Sequence, residues 1–166
     1  MAIEVAEWLG MIEQEIEKAI QKIKPLLAVE QGRDGLKVIN STYSANPQSV
    51  FAHLDYLKGL SGKKIIVMPC LIELGKAAET VHRKIGRKIG RVCDLAIITT
   101  CDYFQQIKQA AVEAGMNPNH ILLAEKPDAI LQEIRSFAVA PDTLLLESRV
   151  PEQVIKNLLV RNSSPN

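Results

Sequence analysis

The side chains with most chemical potential stand in one run, Thr42-Tyr43-Ser44-Ala45-Asn46-Pro47, directly after the apolar segment Leu36 to Ile39. A strand that ends in Tyr-Ser-Ala-Asn-Pro and passes into a helical pattern makes a strand–loop–helix corner. Such corners gather backbone N–H groups at a helix N-terminus, where anions bind. In open α/β sheets the carboxyl ends of strands are also where ligand crevices form. The run therefore points to a nucleotide or carboxylate site. Tyr43 can pack on a base or reach a phosphate, and Asn46 can pair with a base or ribose edge. The alternative for both is turn chemistry, with Asn46 starting the helix ahead of Pro47.

The elements that must position this corner follow from apolar periodicity. Short apolar runs at Leu36–Ile39, Lys64–Met68, Leu95–Thr99, Ile121–Leu123 and Asp142–Leu146 read as strands. Amphipathic stretches read as helices from about Pro47 to Leu57, Ala77 to Val92, Tyr103 to Ala114, Pro127 to Phe137 and Pro151 to Val160. Continuous apolar strands alternating with helices predict an α/β fold: a Rossmann-like, mostly parallel sheet of five to six strands, covered on both faces. Gln31 to Gly35 reads as a turn before the first strand. The first thirty residues are set apart, with Trp8, Leu9, Ile12, Ile16, Ile20 and Ile23 forming an apolar stripe at helical spacing. That predicted helix is expected to dock on the α/β unit, on a preceding domain or on a second copy. The expected organisation is residues 1–30 as this helix, 31–162 as the domain, and 163–166 as a frayed tail.

Composition narrows the function classes. At 166 residues the chain fits one domain with a single core. Twenty basic and nineteen acidic residues leave a formal charge of +1, which argues against a nucleic-acid partner. The basic group Arg83, Lys84, Arg87, Lys88 and Arg91 falls along one helix flank and reads as a solvated face. Cys70, Cys93 and Cys101 form no CxxC, and His53, His82 and His120 have no metal-binding spacing. Acidic residues at the amino end argue against a signal peptide, and no apolar run is long enough for a membrane span. The expected location is the cytoplasm.

Three local patterns together resemble the carboxyl-terminal domain of Mur ligases, the ATP-dependent enzymes that build the peptidoglycan stem peptide. Val38-Ile39-Asn40-Ser41-Thr42-Tyr43-Ser44-Ala45-Asn46-Pro47 is similar to the family's V-I-D-D-T-Y-N-A-N-P. Ile66-Val67-Met68-Pro69-Cys70-Leu71-Ile72-Glu73-Leu74-Gly75, with His82 downstream, resembles its V-L-G-D-M-x-E-L-G…H. Leu144-Leu145-Leu146-Glu147-Ser148-Arg149-Val150-Pro151-Glu152-Gln153 resembles L-L-E-N-D-x-P-D-Q. The likeness is greatest to the MurF-like branch, which adds D-alanyl-D-alanine, and it runs from about Gly32 to Val160.

The resemblance implies a domain that closes onto a central ATPase domain, holds the incoming amino acid or dipeptide, and helps enclose ATP with its Mg. It implies ATP contacts at Tyr43, Asn46, Asn40 and Ser41, and substrate contacts at Glu73, Arg149, Ser148 and His82. Asn40 and Ser41 replace two acidic residues of the family pattern. Loss of one charge-assisted hydrogen bond to a ribose costs on the order of 1.5–3 kcal/mol. Glu73 either orients substrate or caps the following helix, and His82 acts either in the site or in packing. Arg149 either holds a carboxylate or is a surface charge at the start of the last helix. The P-loop and UDP-sugar domains of the family are not in this sequence, so the chain alone is not expected to catalyse ligation. The rival expectation is a stand-alone interaction or dimerisation protein that keeps the fold.

Overall fold

A computed structural model describes residues 27–43 and 46–160. The predicted amino-terminal helix, and with it the proposed dimer surface, lies outside those residues.

The elements in chain order are β1 (Val29–Gln31), β2 (Lys37–Ser41), α1 (Pro47–Lys58), β3 (Lys64–Met68), α2 (Ala78–Val92), β4 (Leu95–Ile98), α3 (Phe104–Glu113), β5 (Ile121–Leu123), α4 (Pro127–Phe137), β6 (Thr143–Glu147) and α5 (Glu152–Leu158). Single 3-10 turns occupy Arg33–Gly35, Gly75–Ala77 and Pro118–His120. The sheet is six-stranded in the order β1-β2-β6-β3-β4-β5. All pairings are parallel except β1 with β2.

Alternation along the parallel strands sorts the core into two layers. Ile39, Ile66, Met68, Ala96, Ile98 and Leu145 face α1, α2 and α3, where Leu54, Leu57, Ile85, Ile89 and Ile107 meet them. Val38, Ile65, Val67, Leu95, Ile97, Leu144 and Leu146 face α4 and α5, against Ile130, Leu131, Ile134, Val154 and Leu158. Both faces are apolar because both are covered, and this is why the strands read as continuous apolar runs. The chain moves outward from β3 to β5 with helices on one face, then returns through α4 on the other. Right-handed crossovers impose that arrangement. The return lays β6 between β2 and β3, so their carboxyl ends come together.

One element departs from the predicted order. Gln31 ends the edge strand β1, with Val29 opposite Ile39 and Gln31 opposite Lys37, and the expected turn shrinks to Gly32–Gly35. All three residues of β1 are exposed, so no alternation marks them in the sequence.

Helices α2 and α3 approach unusually closely. A Cβ built on Gly86 would fall 2.4 Å from the Ile107 carbonyl oxygen, and one on Gly90 would fall 2.3 Å from that of Ala111. The four-residue spacing puts both glycines on the one face that meets α3.

Candidate functional site

The carboxyl edge of the sheet carries every predicted contact residue, in two neighbouring halves. The first is the corner after β2. Asn46 has extended backbone angles, and its Oδ1 accepts a 2.9 Å hydrogen bond from the Ser49 N–H, with Pro47 opening α1. The helix start is thus set by the cap and the proline together. Tyr43 projects almost wholly into solvent, at 92% exposure.

Asn40 and Ser41 are consecutive in a strand and so face opposite sides of the sheet. Asn40 accepts a 2.9 Å bond from the Thr42 hydroxyl. Ser41 is buried and its Oγ lies 3.1 Å from His53 Nδ1. The same Nδ1 lies 2.6 Å from Glu147 Oε2. Glu147 ends β6 directly opposite Ser41 and has no exposed surface. Its other oxygen, Oε1, is buried without a hydrogen-bond partner among the described residues. Burial raises the Glu147 carboxyl above its usual range, against the hydrogen bond and charge of His53 and the Ser148 N–H, which pull it down. A hydrolytic serine–histidine–carboxylate relay needs the serine and the carboxylate on opposite ring nitrogens. Here both meet Nδ1, so the arrangement holds β2, β6 and α1 together and does not activate the serine.

The second half lies over β3, β4 and the end of β6. Pro69, Cys70, Leu71 and Ile72 form one wall of a cleft of about 160 Å³, with Thr100 and Asp102 after β4 and Ser148 and Arg149 after β6 around it. The wall is pinned from below. His82 is fully buried; its Nε2 accepts from the Leu71 N–H at 2.9 Å and its Nδ1–H donates to the Ala78 carbonyl at 2.7 Å. Tyr103 stacks on the ring, with centroids 4.4 Å apart and planes 5° from parallel. Burial lowers the affinity of His82 for a second proton, against the Ala78 carbonyl and the Asp102 carboxylate. Cys70 is tied to the β4 loop through its N–H, 2.8 Å from the Thr100 hydroxyl. Ser148 (φ 59°), in the lining, and Glu73 (φ 62°), one residue beyond Ile72, have left-handed backbone. A non-glycine residue in that region stores strain, and such strain gathers at ligand sites.

Residues 27–149 match the family model described as Mur ligase, glutamate ligase domain. The chain belongs to the Mur ligase family. It is 25% identical over 95% of its length to the UDP-N-acetylmuramoyl-tripeptide–D-alanyl-D-alanine ligase of Bacillus subtilis, of which it spans 36%. Against the ligase of the same name from Haemophilus influenzae it is 30% identical over 55% of its length, spanning 20% of that protein. In fold it is similar to a MurF ligase from Thermotoga maritima solved in complex with ADP (TM-score 0.63, 20% identity, 92% of this chain and 35% of that one). MurF from Acinetobacter baumannii is comparable, with a TM-score of 0.65 and 21% identity over 92% of this chain and 35% of that one. The chain thus corresponds to the MurF-like C-terminal domain, about a third of such a ligase.

The Mur-like patterns land unevenly on the site. Ser148 and Arg149 line the cleft. His82 sits beneath it with both nitrogens occupied. Glu73 is exposed and is not among the residues lining the cleft, and neither the Gly75–Ala77 turn nor α2 has a side-chain cap, which removes the capping alternative. Ser41 is turned to the interior. Sequence reasoning missed His53, Thr100 and Asp102; it placed Glu147 at the end of the last strand but not its burial against His53. All three missed residues had a signal: Thr100 and Asp102 stand in Thr99-Thr100-Cys101-Asp102, a polar run at a strand end, and His53 shares a helical stripe with Val50, Leu54 and Leu57.

Proposed function

We propose that this chain serves as the closing domain of a MurF-like ligase. It would hold the incoming amino acid or dipeptide at the carboxyl edge and help enclose ATP while the peptide bond forms. The observation that carries this reading is the cleft after β3, β4 and β6, where the Arg149 guanidinium and the strained Ser148 meet a wall of small and apolar residues. A guanidinium suits a substrate carboxylate through a bidentate pair. The contribution of such a domain is positioning: amine and activated carboxyl are brought together and water is excluded.

The nucleotide fits the first half in part. Tyr43 is free to stack on a base. Asn46 keeps its amide nitrogen available, although its oxygen caps α1. Ser41 offers a ribose nothing, because its hydroxyl belongs to the His53 network. Among the described residues no three His, Cys, Asp or Glu side chains gather as a metal site, so Mg would arrive with the phosphates on the ATPase domain. That domain would be the chain's principal partner.

The test is a chimera in which this chain replaces the corresponding third of the Bacillus subtilis relative. ATP-dependent joining of D-alanyl-D-alanine is the expected result. A folded chimera that binds ATP yet makes no product, where the parent enzyme does, overturns the reading. The Ser41–His53 bond favours one alternative, an interaction or dimerisation protein that keeps the fold. ADP protection of Tyr43 in the chimera would dismiss it.

A further inference from the structure

We propose that the buried His53–Glu147 pair is a proton-sensitive positioning device, which sets the turn carrying Arg149 from beneath the corner after β2. The chain of contacts is short. Ser41 and Glu147 are the last paired residues of β2 and β6. One residue further, the Ser148 N–H donates to the Ser41 carbonyl at 3.1 Å, and the Val150 N–H donates to the Ser148 carbonyl at 2.9 Å. Arg149 is therefore the middle residue of a three-residue turn whose first amide is fastened to β2. Ser148 is held there at φ 59°, a conformation that persists only where its surroundings over-determine it.

Those surroundings include the pair. His53 on α1 presents Nδ1 to Ser41 Oγ at 3.1 Å and to Glu147 Oε2 at 2.6 Å. The Ser148 N–H also acts on the Glu147 carboxyl, so one donor is shared between that carboxyl and the Ser41 carbonyl. An ionised acceptor forms a hydrogen bond about twice as strong as a neutral one. An ionised Glu147 thus draws the Ser148 amide toward itself, and a protonated one releases it to β2. The proton count of the pair decides how the turn is tied.

The pair is built to change that count. Glu147 has no exposed surface, and its Oε1 meets no partner among the described residues, so burial disfavours the charged form. His53, 7% exposed, is the member in touch with solvent. Other charges on the packed elements stand away. Lys37, Lys64 and Asp142 lie at the amino ends of β2, β3 and β6. Asp55 of α1 is turned to Lys88 of α2, Lys58 ends α1 in solvent, and Arg149 is exposed. His53 is left as the charge that acts on the carboxyl. What Arg149 holds rests on the ligase reading; the movement of its turn does not.

The experiment is an NMR pH titration of the full isotope-labelled chain, without ligand, in wild type, Glu147→Gln and His53→Gln. The Ser41, Ser148 and Arg149 amides should move together with the His53 ring, as members of one coupled titration, and Ser148 should shift farthest. Glu147→Gln, which has no proton to gain, should flatten the Ser148 and Arg149 steps and leave the titration of His82, read at Leu71, as it was. His53→Gln should displace the Ser148 step to higher pH, because the carboxyl loses the partner that favours its ionised form. A Ser148 amide that stays still while His53 titrates, a step that survives Glu147→Gln, or an unmoved midpoint in His53→Gln overturns the proposal. Should His53→Gln fail to fold, Glu147→Gln, which keeps the shape of the pair, decides alone. The ligase reading is judged separately, by product formation in the chimera.

Discussion

Two buried histidines stand under the two halves of the carboxyl edge, one on α1 and one on α2, and their surroundings differ. His82 has a separate partner for each nitrogen and a stacked tyrosine over its ring. His53 has two oxygens on one nitrogen, and the carboxylate it serves keeps a second oxygen with no partner among the described residues. A complete network makes one backbone arrangement preferable to all others, while an incomplete one leaves its members with a cost that another arrangement can remove. The wall over His82 is therefore a preformed surface. The corner over His53 is the half whose geometry is open to adjustment.

The strongest way to break the contrast is His82→Ala. It removes two buried hydrogen bonds and a stacked ring, and it strands the Leu71 N–H and the Ala78 carbonyl. We expect a loss of about 3 kcal/mol in urea unfolding, with faster amide exchange at Leu71 ahead of global unfolding. The wild-type pH dependence follows from the lowered affinity of the folded imidazole for a proton. The unfolded chain takes up that proton first, so acidification below about pH 6.5 costs stability. His82→Gln should flatten this slope, and a slope that persists in the variant would assign it elsewhere.

Glu147 predicts the opposite sign. Its folded carboxyl is raised above the ordinary 4.5, so the unfolded chain ionises first as pH increases. Stability from this group is full in acid and falls above about pH 4.5. Glu147→Gln mimics the protonated form and should gain about 1 kcal/mol at pH 8, the low end of the cost of an unsatisfied buried polar group, with no gain at pH 4. A destabilised variant at pH 8 would mean that the His53–Glu147 ion pair outweighs its burial.

These two clusters also show what the sequence could reveal. The strand and helix order was legible because both faces of the sheet are covered, so each parallel strand became an uninterrupted apolar run. The three-residue edge strand β1, exposed throughout, had no such pattern. Ser148 and Arg149 were legible as cleft residues because a charged tripeptide following Leu144–Leu146 must lie at a strand end. The inward turn of Ser41 was not legible. It depends on His53, 12 residues away, and on Glu147, a further 94 residues along the chain, and only the insertion of β6 beside β2 brings them together. Asp102 escaped for a similar reason, since only the packing of the β3, β4 and β6 loops places it beside Ser148 and Arg149 in one cleft. Gly86 and Gly90 were likewise silent, because a helical period says nothing about how closely a second helix will lie.

The smallest effects sharpen the comparison most, because they separate folding from contact in the open corner. Asn46 does structural work through Oδ1, so Asn46→Ala should cost about 1 kcal/mol while Asn46→Asp, which keeps the acceptor, should cost little. Tyr43, with nearly all of its surface in solvent, should tolerate replacement by alanine within ~0.5 kcal/mol. In the chimera, loss of nucleotide affinity in Tyr43→Ala would then be attributable to a missing contact. If Asn46→Asp preserves stability but also loses nucleotide affinity, the free amide nitrogen is a ligand group as well as part of the cap. Should both variants bind as the parent does, the corner after β2 is a helix start and nothing more, and ATP is held by the central domain alone.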